Sequence, residues 1–170
     1  DAQSGVTIMQ IAEGLDTGDM LHKGTVAITP QMNGEELHDA LAKIGADLIS
    51  EVLANVQKYP PQKQDDALAC YAQKIDKAEC SLDFTQSVDT LYNKIRAFSP
   101  YPAMYFEHNG ERFKILVAEK SADNIPTGQI KQTDSSLFLG VGDGALRITQ
   151  IQRQGKRPMP IAELLRGYRF

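Results

Sequence analysis

A chain of 170 residues that is 42% hydrophobic, 24% charged and 7% aromatic has room for one domain or two small ones. No apolar run approaches the roughly 20 residues of a membrane helix, so no membrane partner is expected. The net charge of −4 divides unevenly: residues 1–59 carry nine acids against three lysines, −6, whereas residues 60–170 carry 13 acids against 15 bases, +2. That split points to two modules with different partners, the second able to meet phosphate.

In chain order, VTIMQI (6–11) reads as a buried strand, followed by the glycine-bracketed loop 12–19 and a second short strand, GTVAI (24–28). Asn33 caps a helix, and Glu36 completes a capping box. Leu37, Leu41, Ile44, Leu48, Val52 and Val56 then recur at helical spacing. Two strands and one long helix cannot close a core, so if they belong to an α/β sheet, most of that sheet lies elsewhere. KYPPQKQDD (58–66) is a proline-rich polar linker. A second helix is predicted over 86–98, with Val88, Leu91, Tyr92, Ile95 and Phe98 on one face. Pro100 and Pro102 stop it, since neither can donate to the helical ladder.

Strand patterns follow. AMYFEH and RFKILVAE flank Asn109-Gly110, a strong hairpin signal. Short strands are expected around 129–132, 136–141 and 145–151, and a short helix over Ile161 to Arg166. So many short strands with glycine turns predict a small closed barrel. Cys70 and Cys80 lack C-x-x-C spacing and read as free thiols of a cytoplasmic protein. The opening DAQSG has neither the basic start nor the apolar core of a signal peptide, so no leader is expected there.

The loop poses the chemical question. Leu15-Asp16-Thr17-Gly18 is the apolar-Asp-Thr-Gly run with which aspartic proteases aim a carboxylate. A protease needs two such loops, because one proton must be shared between two close carboxylates, and this chain has one copy. No metal site is expected. His22, His38 and His108 are far apart in sequence, and Asp16-Thr17-Gly18-Asp19 is too short for an EF-hand loop. A plain glycine turn with solvated carboxylates is the bland alternative.

A longer pattern decides between them. VTIMQIAEGLDTGDML (6–21) resembles the second half of the catalytic motif of methionyl-tRNA formyltransferases. NGEELHDALAKIGADLI (33–49) is similar to the family's long helix, and ACYAQKIDKAE (69–79) to its Tyr-Ala-x-Lys segment. IRAFSPYP (95–102) is similar to its Arg-Ala-Phe-x-Pro-x-Pro signature, and GDGALRITQIQRQGKRPMPIAELLRG (142–167) to its closing part. These pieces span nearly the whole chain, in order. Ser99 and Tyr101 stand where asparagine and tryptophan are usual. The family's Asn-x-His-Gly-Ser segment and Ser-Leu-Leu-Pro folate loop would precede this region and are absent from these residues.

The resemblance implies transfer of a formyl group from 10-formyltetrahydrofolate, without a metal, to the amine of initiator methionyl-tRNA. It implies an α/β remnant over 1–59, the end of a Rossmann-like formyltransferase domain. A linker over 60–80 and a small OB-like β-barrel over 81–170 that holds tRNA would follow. Asp16 takes the place of the catalytic aspartate, supporting the absent histidine and handling the amine's proton. Ala12, Glu13, Gly14, Leu15 and Gly18 would line the folate pocket with backbone groups, Gly14 and Gly18 through positive φ or close approach. Lys74, Lys77, Arg153, Lys156 and Arg157 would meet tRNA phosphates. The full-length protein is expected to be a cytoplasmic monomer, and residues 1–170 alone to be inactive. A tRNA-binding module, or a related folate-dependent formyltransferase acting on another amine, is the alternative.

Overall fold

The computed structural model describes residues 1–170. The chain divides between Lys74 and Ile75 into two compact units, each packed around its own contacts.

In the first unit, strands β1 (Gln3–Met9) and β2 (Met20–Ala27) form an antiparallel hairpin. Half-buried Val6 and Ile8 alternate with exposed Gly5 and Thr7, as a sheet with one covered face requires. Helix α1 (Gly34–Ala54) supplies the cover. Val6 pairs with Gly24 across the hairpin, and the helix sits close there: a Cβ on Gly24 would stand 2.7 Å from Ile44 Cγ2. The capping box forms as the sequence predicts. Asn33 Oδ1 accepts the Glu36 N–H and Glu36 Oε2 accepts the Asn33 N–H, both at 2.9 Å.

The apolar stripe is shorter than its spacing suggests. Asn55, at φ −158°, ends the helix, and Val56 falls in a following 3-10 turn and is exposed. Leu48 and Val52 are the only buried apolar side chains of this unit, so its core is thin. The proline-rich stretch is not a free tether. Gln62 pairs antiparallel with Met20 through two backbone hydrogen bonds of 2.8 and 2.9 Å, laying this stretch against the start of β2.

The second unit has a full core. Helix α2 (Val88–Phe98), capped by the Ser87 hydroxyl, buries Leu91 and Ile95. Strands β3 (Met104–His108) and β4 (Glu111–Ser121) form the expected hairpin, with Asn109 and Gly110 both at positive φ, 51° and 77°. Strands β5 (Ile130–Gln132), β6 (Leu137–Val141), β7 (Gly144–Arg153) and β8 (Met159–Pro160) and the short helix α3 (Ile161–Leu164) follow. The antiparallel order is β3-β4-β7-β6-β5, with β8 paired to β7. Phe113, Ile115, Leu137, Leu139, Leu146, Ile148 and Ile151 fill the buried side of the sheet.

The sheet is curled and barrel-like, but the closed barrel expected from the strand count is not formed: β3 and β5 end the ladder unpaired with each other. The edge of β3 is taken instead by the segment before α2. The Leu82 N–H donates to the Tyr105 carbonyl at 2.7 Å, beside a parallel bridge from Ser81 to Tyr105. With that edge satisfied, a three-residue β5 has nothing to close onto.

Candidate functional site

The loop between β1 and β2 is a concave cup of about 390 Å³, lined by Met9, Ile11 and the run from Ala12 to Gly18. It gathers Ala12, Glu13, Gly14, Leu15, Asp16 and Gly18 in one place. Its geometry departs from expectation in one respect. Neither Gly14 nor Gly18 has positive φ; the left-handed residue is Asp16 itself, at φ 55°. Aspartate is among the few side chains enriched in that region.

Gly18 is needed for space. It is buried, and a Cβ there would lie 1.7 Å from the Gln10 carbonyl oxygen. Thr17 closes the bend by donating its hydroxyl to the Gly14 carbonyl at 3.1 Å. The base of the loop is tied by the Gln10 N–H on the Asp19 carbonyl at 2.9 Å. Asp16 is exposed, and so are Ile11 (100%) and Leu15 (87%), leaving a polar rim with two bare apolar side chains that a flat ligand could cover.

The basic residues singled out from the sequence do not form one set. Lys74 and Lys77 are exposed on either side of the division between the units. Arg153 is half-buried, and its Nε and Nη2 donate to Glu111 at 2.5 and 2.7 Å, tying β7 to β4. Those hydrogen bonds hold the Glu111 carboxyl below its ordinary value and raise the Arg153 guanidinium. Arg157 pairs with Glu163 at 3.3 Å. Lys156 is exposed in the turn after β7 and makes no ion pair.

The Glu111 pair has a testable consequence. A carboxylate whose folded-state pKa is depressed adds stability above its unfolded pKa and loses it as pH falls through the folded value. Glu111→Gln is therefore expected to lower the melting temperature most near neutral pH. The gap from the native chain should shrink steadily on acidification through the carboxylate range; a pH-independent gap would assign the pair no linkage.

Sequence reasoning missed a second surface. The hairpin register sets Tyr105 opposite Lys114 and Glu107 opposite Arg112, all on the face away from buried Phe106, Phe113 and Ile115. The Arg112 guanidinium lies 3.9 Å from the centre of the Tyr105 ring, and Lys114 lies 5.9 Å from that of Tyr101, which is 79% exposed. Arg112 also approaches Glu107 at 3.4 Å. Arg112 and Lys114 line two shallow clefts of about 430 and 410 Å³; Lys77, Tyr101 and Tyr105 line the second, Glu107 and Arg153 the first. The signal was available: a two-residue Asn-Gly loop fixes the pairing of the strands it joins, so the alternation of RFKIL against MYFEH could have been read across the turn.

The chain thus pairs an aspartate-bearing cup on one unit with a barrel-like sheet on the other whose outer face is basic and aromatic, and the comparisons give its family. The family model described as "Formyl transferase, C-terminal domain" matches residues 74–169, and the one described as "Formyl transferase" matches residues 1–53: the chain belongs to the formyl transferase family. It is 43% identical over 168 residues to the methionyl-tRNA formyltransferase of Rhizorhabdus wittichii, covering 99% of this chain and 54% of that protein. The chain thus spans about half the length of the curated relatives it matches. In fold it is similar to HypX from Aquifex aeolicus in complex with tetrahydrofolic acid, with a TM-score of 0.73 at 20% identity over 97% of this chain and 30% of that one. It is also similar to the methionyl-tRNA formyltransferase from Clostridium thermocellum, with a TM-score of 0.58 at 21% identity over 74% of this chain and 55% of that one.

Proposed function

We propose that this chain works in the transfer of a formyl group from 10-formyltetrahydrofolate to the amine of initiator methionyl-tRNA. The observation that carries the reading is the 43% identity to a methionyl-tRNA formyltransferase, sustained across both units. The cup agrees with it: the residues expected at the folate and at the proton-handling carboxylate line one concavity of about 390 Å³. On this reading the first unit is the closing part of a Rossmann-like α/β domain. Its thin core and the exposed face of its hairpin suit a piece of a larger sheet. The second unit is the OB-like module that holds tRNA.

The donor molecule supplies the formyl carbon, and this chain supplies its bed and a base. Backbone groups of Ala12 to Leu15 would hold the flat ring, with Ile11 and Leu15 against its apolar edge. Asp16 accepts the proton lost by the attacking amine, directly or through water. A carboxylate in that position also favours the protonated form of a neighbouring imidazole, the role filled in the family by a histidine that these residues do not contain.

For tRNA, the reading now centres on the outer face of β3 and β4 with Lys77 and Lys114, while Arg153 and Arg157, each held by a carboxylate, are secondary. The test is RNA binding by the 170-residue chain across a salt series. Lys114→Ala is expected to weaken binding and to reduce the logarithmic salt slope by about 1. Tyr101→Ala should weaken binding at every salt concentration with the slope unchanged, by about 1–3 kcal/mol where a base stacks on it. Equal affinities in all three proteins would remove this face from the tRNA site. Transfer assays offering methionyl-tRNA beside small amino-sugar nucleotides separate this reading from that of a relative acting on another amine.

A further inference from the structure

We propose that Gln64 is a positioning residue for Asp16, which deepens the reading above and rests on its assignment of Asp16 as the proton-handling carboxylate. Between Pro60 and Cys70 every residue is exposed except Gln64, which turns inward from the proline-rich stretch. Its side-chain Nε2 donates to the Asp16 carbonyl at 2.8 Å and to the Gly18 carbonyl at 2.7 Å. The same nitrogen lies 3.9 Å from Met9 Sδ, at the mouth of the loop. One amide thus takes up two carbonyls that bracket the tightest part of the bend.

The chemistry of that contact is specific to a primary amide. A carboxamide nitrogen carries two N–H donors in a fixed plane, enough for two carbonyl oxygens at once. The peptide plane after Asp16 and the one after Gly18 are both held, so the left-handed backbone that presents the carboxylate cannot swing. Asp16 makes no side-chain hydrogen bond or ion pair of its own, so its direction is set by this backbone. Gln64 is itself anchored on both sides. Two residues earlier Gln62 pairs with Met20, and one residue later Asp65 Oδ1 accepts the Ala67 N–H at 3.0 Å. The amide is therefore delivered by backbone already fixed.

Two variants test this. Gln64→Leu keeps the approximate size and removes both donors; Gln64→Glu presents only acceptors at neutral pH but regains one O–H donor when protonated. In the 170-residue chain, both are expected to lose amide-exchange protection at Gln10 and Met20, whose N–H groups donate to Asp19 and Gln62 at the base of the loop, at neutral pH while α1 and the outer half of the hairpin keep theirs. Gln64→Glu alone should recover part of it on acidification. In the full-length polypeptide, kcat is expected to fall by about 10- to 100-fold with KM for tRNA unchanged, the scale of a slightly misplaced catalytic group. The acid limb of the rate profile should also move, which simple loss of folded protein would not cause. Native-like exchange in Gln64→Leu overturns the proposal, and so does an unmoved acid limb. Failure of the unaltered enzyme to formylate methionyl-tRNA would instead overturn the functional reading, and the exchange measurement would still decide whether the clamp exists.

Discussion

Asp16→Asn is expected to reduce kcat for formyl transfer by about 10²–10⁴-fold, the range for removing a positioned proton acceptor. Asparagine has nearly the shape of aspartate and is equally at home at positive φ, so the bend at φ 55° should persist. The Gln64 contact falls on the backbone carbonyl and does not need the carboxylate. What is lost is a group able to take a proton from the amine and to favour a charged imidazole. Single-turnover transfer with labelled donor in the full-length polypeptide, alongside donor affinity and thermal melting, checks the claim. Near-native turnover would remove Asp16 from the chemistry and return the loop to a plain turn.

Gly18→Ala is the second large effect, and it acts through geometry alone. The new methyl would be placed 1.7 Å from the Gln10 carbonyl oxygen, far inside any permitted contact, and the obstacle is backbone that cannot rotate away. The strand-to-loop junction must shift, at a cost of about 1–3 kcal/mol if it behaves as an overpacked core does. The Gly18 carbonyl would move with it, away from Gln64. A displacement near 1 Å at the carboxylate is enough to cost about a hundredfold in rate. Kinetics should therefore show a loss close to that of Asp16→Asn, but with weaker donor binding and a lower melting transition. The second unit, with its separate core, should melt unchanged.

Elements whose identity rests on local chemistry were legible from the amino acids. The Asn33 capping box, the Asn109-Gly110 hairpin and the α2 stripe each depend on residues within a turn or two, and each stands as read. The closed barrel failed because strand count says nothing about edges, and the β3 edge is occupied by Leu82 from a segment with no strand signature. At the cup, the residues singled out from the sequence line one concavity, but the left-handed φ falls on Asp16 rather than on a glycine. Glycine signals freedom, yet here Gly18 answers a need for space, while Asp16 carries the unusual φ. Arg153 illustrates a different limit. Its partner Glu111 is 42 residues away, and only the β4–β7 pairing brings them together. Gln64 lies in a stretch whose composition marks only a polar tether, because nothing in a proline-rich run reveals which side chain turns inward.

The bond between Gln62 and Met20 bears on how such proteins can be recombined. Composition alone would place a graft junction at Pro60, in the middle of an inert spacer. Physically, the strip through Gln64 belongs to the first unit, and a chimera joined ahead of it would import a foreign strap across the Asp16 bend. Splicing after Lys74, where the first unit ends, keeps that strap and its Asp65–Ala67 anchor native.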